Sequence, residues 1–126
     1  MLNRSKKRIN LGAFIGHTPI RQYIMGDAST ERSATKREIN LMRELVEEAL
    51  DAGAVGFSSS QAEAHIGAEG KPVPSRFATL DEIFRISSAL GDVGSGVIQI
   101  ARGRLDLSTL SRLSIETGRH VTWTAL

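Results

Sequence analysis

Hydrophobic positions along this chain change period three times at a glycine, and each change reads as a helix handing over to a strand. The junctions are Asp51-Ala52-Gly53 before Ala54-Val55-Gly56-Phe57, Leu90-Gly91 ahead of Gly96-Val97-Ile98-Gln99-Ile100, and Thr117-Gly118 before Val121-Thr122-Trp123. Ile9 to Gly16 is apolar at successive positions, as in a strand covered on two sides. Pro19 to Met25, closed by Gly26, reads as a short helix with Pro in its first turn. Thr35 with Glu38 spells a capping box, and Ile39, Met42, Leu45, Val46, Ala49 and Leu50 then form one apolar stripe ending at Gly53. A second capping box, Thr79 with Glu82, opens a helix carrying Leu80, Ile83, Ile86, Ala89 and Leu90, followed by a turn over Gly91 to Ser95. The last helix spans Leu107 to Thr117, and Trp123 in the strand after it reads as core. Between strand Ala54–Phe57 and the second capping box lies a long segment, Ser58 to Ala78, whose length marks it as functional or disordered.

The order strand, helix, strand, helix, strand, helix, strand predicts an α/β chain with a parallel sheet, and such sheets keep their chemistry at the carboxyl ends of the strands. Four strands do not close an eight-stranded barrel. The pattern fits either a small open sheet or, the preferred reading, a βαβαβαβ segment of a (β/α)8 TIM-type barrel. Residues 1–8 form a basic lead-in and 9–126 the partial barrel domain.

Composition narrows this little. A 126-residue chain with 40% hydrophobic residues suits one domain with an ordinary core. Without Cys there are no disulfides or thiolate metal sites. The net charge of +2 hides a cluster, Arg4, Lys6, Lys7 and Arg8, which lacks aromatic neighbours and reads as a solvated lead-in, not a nucleic-acid surface. No segment has the apolar length of a membrane span or secretory signal, so a cytoplasmic protein is expected.

At the expected strand ends stand His17, the serines Ser58, Ser59 and Ser60, Ala101-Arg102 and Thr124-Ala125. His17 is either a working residue of the rim or a structural imidazole bonded to nearby backbone. Arg21 is either a clamp for a substrate carboxylate or a helix-surface cation. No acidic or His neighbour in sequence activates the serines, and Gly56-Phe57-Ser58 is not a nucleophile elbow, so they are expected as hydrogen-bonding groups. His65 and Arg76 sit in the long loop, which would overhang the site as a lid or stay solvated. His17, Arg21, Ser58, Ser59, Ser60, His65 and Arg76 are thus the candidate substrate-binding residues. The glycines give no dinucleotide fingerprint.

Gly16-His17-Thr18-Pro19-Ile20-Arg21, Met25-Gly26, Ala34-Thr35, Glu48-Ala49-Leu50, Ala52-Gly53-Ala54 and Gly56-Phe57-Ser58-Ser59-Ser60 together resemble amidohydrolases of the D-aminoacylase (N-acyl-D-amino-acid deacylase) group over most of residues 9–100. The resemblance implies a metal-dependent (β/α)8 hydrolase of linear, non-peptide C–N bonds, with zinc activating a water. It also implies metal-binding His residues near two later strand ends, where this chain has Ala101 and Ala125; no metal ligand is evident, and the chain by itself is expected to be inactive. His120 precedes its strand and belongs to the opposite rim. A small-molecule amide is the expected partner, with self-association through the incomplete sheet. A non-enzymatic α/β binding module and a non-catalytic remnant are the alternatives.

Overall fold

The structure, a computed structural model, describes residues 9–124. The basic lead-in at residues 1–8 and Ala125 lie outside the described residues. Strand β1 (Phe14–Gly16) runs directly into helix α1 (His17–Met25), followed by a 3-10 turn at Gly26–Thr30 and helix α2 (Lys36–Asp51). Strand β2 (Gly56–Ser60) leads through the long loop to helix α3 (Leu80–Val93) and strand β3 (Val97–Ala101). Helix α4 (Leu107–Thr117) and strand β4 (Val121–Thr124) complete the described chain.

All neighbouring strands are parallel, in the order β1-β2-β3-β4. That order decides the architecture. Crossovers between parallel strands are right-handed, so a chain that always steps in the same direction lays every helix on one face. A doubly wound sheet must reverse direction to cover both. Here Phe57, Ile98 and Ile100 pack against Met42 and Val46 of α2, Ile83, Ile86 and Leu90 of α3, and Leu110 and Leu113 of α4 in one core. The other face carries Ser58, Ser60, Gln99 and Ala101, all only partly buried. A sheet with helices outside and polar groups inside is the wall of a barrel, and the barrel-segment reading of the fold stands.

Several element boundaries shift, each for a local reason. The first strand shrinks to three residues because only Phe14, Ile15 and Gly16 find partners, against Gly56, Phe57 and Ser58. Ile9 and Leu11, expected inside a covered strand, are 70% and 50% exposed. The second strand starts later and absorbs all three serines, since Ser58, Ser59 and Ser60 pair with Gln99, Ile100 and Ala101. Helix α3 runs past Gly91 to the left-handed Gly94 (φ 75°). Gly91 is instead a point of close approach, where a Cβ would lie 2.6 Å from the Thr117 carbonyl oxygen. Trp123 is half exposed, not core, because β4 has no further strand beside it among the described residues. The long loop is ordered by 3-10 turns at Ala68–Gly70 and Pro74–Phe77 and an antiparallel bridge between Ile66 and Pro72.

The two capping boxes diverge. At α2 the box is complete: Thr35 Oγ1 accepts from the Glu38 N–H at 3.3 Å and Glu38 Oε2 accepts from the Thr35 N–H at 2.7 Å. Glu38 also takes two hydrogen bonds from Arg32, and these, with the Thr35 N–H, lower its pKa to about 2. At α3 only half forms. Thr79 Oγ1 accepts from the Glu82 N–H at 3.2 Å, but the Glu82 side chain turns into the protein.

Candidate functional site

Where Glu82 goes organises the carboxyl-terminal rim. Its carboxylate is wholly buried and meets two side chains from the first turns of α1. Arg21 Nη1 donates to both of its oxygens, at 2.6 and 2.5 Å, and His17 Nε2 lies 2.8 Å from Oε1. Arg21 Nη2 caps the Arg32 carbonyl at 2.9 Å and the Ser29 carbonyl at 3.3 Å. On its other side His17 Nδ1 is 2.8 Å from Ser59 Oγ. An ionised carboxylate only accepts, so Nε2 carries the imidazole proton and Nδ1 accepts from the Ser59 hydroxyl. One cation, one anion and a neutral imidazole thus fill a buried site with no net charge.

The electrostatics agree with this assignment. Burial pushes the His17 pKa below its ordinary 6.5, against the opposing pull of Glu82. Burial alone would raise Glu82, but the hydrogen bonds and charges of His17 and Arg21 outweigh it and hold the carboxyl below its ordinary value. Below pH 6.5 the unfolded chain takes up a proton at His17 that the folded chain refuses, so acidification favours unfolding. The Glu82 contribution is already complete above 4.5 and is lost only at lower pH. Between about pH 7.5 and 5.5 the urea midpoint should therefore fall through His17, by at most about 1.4 kcal/mol per pH unit for one proton. In His17→Gln that fall should be smaller; an unchanged slope would mean that folding does not lower the His17 pKa.

On the helix-free side of the strand ends lies a cleft of about 450 Å³ lined by Thr18, Ser58, Ser60, His65, Ser75 and Gln99 among others, with Ala101 and Thr124 at its far wall. Ser75 anchors the loop across it. Ser75 Oγ donates to the Ser60 carbonyl at 2.9 Å, Thr18 Oγ1 donates to Ser75 Oγ at 3.2 Å, and Gln61 Nε2 donates to the Ser75 carbonyl at 2.6 Å. Ser60 Oγ is hydrogen-bonded to His65 Nδ1 and accepts from the Ala62 N–H at 3.3 Å.

Of the seven candidate binding residues, the fold brings His17, Ser58, Ser59, Ser60 and His65 to this rim. Within that set the alternation of β2 separates them. Ser58 and Ser60 face the cleft, whereas Ser59 points into the helix layer and is 7% exposed. Arg21 is neither a surface cation nor free for a substrate: it is fully buried, and the carboxylate it holds is Glu82 of the same chain. Arg76 stands outside the cleft lining and donates to the Glu63 carbonyl at 3.1 Å, bracing the loop. His17 bonds to side chains from two other elements, not to nearby backbone. Ser59 and Ser60 are hydrogen-bonded, as expected, and both have imidazole partners that no immediate sequence neighbour provides. Chain folding supplies His65 to Ser60 and His17 to Ser59.

Sequence reasoning missed Glu82, Ser75 and Gln99. Glu82 carries a signal in retrospect, since it occupies the fourth position of a capping box yet shares a stripe with Ile83 and Ile86; Ser75 and Gln99 carry none.

No family model matches the chain. It is 38% identical over 58 residues to a D-aminoacylase of Alcaligenes xylosoxydans xylosoxydans, covering 46% of this chain and 12% of that protein. It is 33% identical over 90 residues to an N-acyl-D-glutamate deacylase of the same organism, covering 71% of this chain and 17% of the relative. Two solved structures of D-aminoacylase superpose with TM-scores of 0.69 and 0.70 at 28% and 27% identity, over 90% and 91% of this chain and 23% of theirs. One was described for its binuclear metal centre, the other as defining a subset of amidohydrolases. The fold and the rim are therefore those of an amidohydrolase-like barrel wall. More narrowly the chain is D-aminoacylase-like, and it spans under a fifth of the curated relatives and about a quarter of the solved chains it matches.

The donor set in the cleft does not fit a zinc centre. Ala101 presents a methyl group at the end of β3, His17 has both nitrogens engaged inside the protein, and the cleft-facing groups are one imidazole, an amide and hydroxyls. Among the described residues no three His, Asp or Glu side chains converge on a common point.

Proposed function

We propose that this chain forms the substrate-binding wall of an amidohydrolase for linear amides such as N-acylated D-amino acids, contributing hydrogen-bonding groups and no metal ligands. One observation carries the reading: the cleft sits at the carboxyl ends of the strands in a segment that is D-aminoacylase-like in both sequence and fold. Ser58, Ser60 and Gln99 present hydroxyl and amide groups side by side in register, which suits an amide carbonyl or a substrate carboxylate. Zinc, where such enzymes bind it, supplies an activated water; these residues do not hold it, and no step of amide hydrolysis is assigned to them. No helix among the described residues is long and apolar enough to cross a membrane, which is compatible with a cytoplasmic setting.

The test is titration of the purified chain with N-acetyl-D-glutamate and N-acetyl-L-glutamate, followed by amide NMR shifts and a zinc-supplemented hydrolysis assay. The expected result is saturable shifts at Ser58, Ser60 and Gln99 without hydrolysis. Zinc-dependent turnover by this chain would overturn the assignment of a purely binding role. An absence of shifts at millimolar ligand would overturn the binding site itself.

A further inference from the structure

Two serine–imidazole pairs stand at the same rim, and one of them, Ser59 with His17, is nearly closed to solvent. Ser59–His17–Glu82 has the order of a catalytic relay, with 2.8 Å contacts at both imidazole nitrogens. Its hydroxyl, however, points into the helix layer, its imidazole is 1% exposed, and its carboxylate is clamped by Arg21. That relay is a buried brace.

The second pair, Ser60 with His65, opens on the cleft. Ser60 ends β2 on the helix-free face, and its hydroxyl accepts the Ala62 N–H while bonding to His65 Nδ1. When Oγ accepts from Ala62 and donates to Nδ1, each group is used once, and Nδ1 is the nitrogen that receives the hydroxyl proton. Both residues are held from behind. The Ser60 carbonyl takes the Ser75 hydroxyl, the His65 N–H donates to the Ala62 carbonyl at 3.1 Å, and the Val73 N–H donates to the His65 carbonyl at 3.3 Å. The bridge between Ile66 and Pro72 closes the loop just beyond. A strand-end hydroxyl paired with a half-buried imidazole that the loop fixes in place is the geometry of an activated nucleophile.

We propose that Ser60 and His65 form a metal-independent acyl-accepting dyad whose substrates are activated carboxylic esters. Ser60 Oγ bonds to the ester carbonyl carbon as its proton passes to His65 Nδ1. The tetrahedral adduct then collapses, the C–O bond to the leaving group breaks, and the proton on His65 passes to the departing oxygen. An acyl ester remains on Ser60, and water attacking the same carbonyl with His65 as base releases the carboxylate and restores the hydroxyl. No oxidant, metal or cofactor enters the balance. With no carboxylate among the described residues bonded to the far nitrogen of His65, the dyad suits good leaving groups and not amides. The inference is independent of the amidohydrolase reading.

The test incubates the full chain with p-nitrophenyl acetate in the presence of EDTA and maps acetylation by tandem mass spectrometry. The expected result is an acetyl group on Ser60, absent in Ser60→Ala, and accumulating about 100-fold more slowly in His65→Gln, the size of effect general-base assistance supplies. Position 65 is half-buried in a loop, so His65→Gln should keep the wild-type unfolding midpoint; His65→Ala provides a second variant with the same expectation. An acetyl group on Ser59, or on lysines only, would overturn the proposal, as would equal acetylation rates in wild type and both His65 variants. Failure here leaves the ligand-induced shifts with N-acetyl-D-glutamate untouched, because those involve no covalent step.

Discussion

Glu82→Ala should cost about 3–5 kcal/mol and leave most of the chain unfolded at ambient temperature, the largest effect expected from a side-chain truncation in this protein. The removed carboxylate would strand the Arg21 guanidinium, which is fully buried, together with the Nε2 proton of His17. Neither can turn to water without opening the seam between α1, α3 and the end of β2. Arg21→Met should cost a similar amount from the other side, because it leaves the Glu82 anion with one hydrogen bond from a neutral imidazole. The double variant Arg21→Met/Glu82→Gln removes both charges while keeping an acceptor for His17. It should recover most of the loss, since a buried ion pair contributes little net stability over a neutral replacement of similar volume. Urea unfolding of wild type, Glu82→Gln, Arg21→Met and the double variant closes the cycle and reads the coupling directly. Additive losses in the double variant would mean that the ion pair is not the bond that holds α1 to α3.

The second large effect is backbone-borne. In Gly56→Ala the new Cβ would lie 1.9 Å from the Val97 carbonyl oxygen, 2.8 Å from the Val97 nitrogen and 2.9 Å from Phe14 Cε1. Two of these three obstacles are main-chain atoms of the neighbouring strand, so the clash cannot be relieved by a rotamer change. Relief requires β2 to move off β3 where the ladder begins, and a loss of at least about 3 kcal/mol is expected, the upper end of overpacking penalties. Gly118→Ala is the control. Gly118 has φ 63° but nothing within 4 Å of an added Cβ, so it tests the left-handed conformation alone, at about 1 kcal/mol. Thermal unfolding of the pair separates the two causes. Equal losses would show that β2 and β3 tolerate separation at Gly56.

The sequence by itself determined the order of the four described strands and of α2, α3 and α4, because each depends on signals that act over a few residues; α1 reads in it only as a short helical turn. The stripe from Ile39 to Leu50, the complete Thr35–Glu38 box and Gly118 after α4 all specify helix ends and faces locally. Parallel pairing followed from the alternation of strand and helix, and the place of the site followed from parallel pairing. The ordered set of short motifs from Gly16 to Ser60 also carried the D-aminoacylase likeness that both comparisons bear out.

What each side chain does at that site was decided only in three dimensions. Ser58, Ser59 and Ser60 are chemically identical in the sequence. Their division into cleft and core is set by the register of β2 against β3, a property of two segments some forty residues apart. Thr79 and Glu82 spell the same box as Thr35 and Glu38, yet a buried Arg21 delivered by α1 draws the Glu82 carboxylate inward, and a charge-assisted bond in a dry interior outweighs the capping bond it gives up. Local patterns fixed in a few residues could place the rim; only the packing of α1 and α3 against β2 could say which of its groups face a ligand.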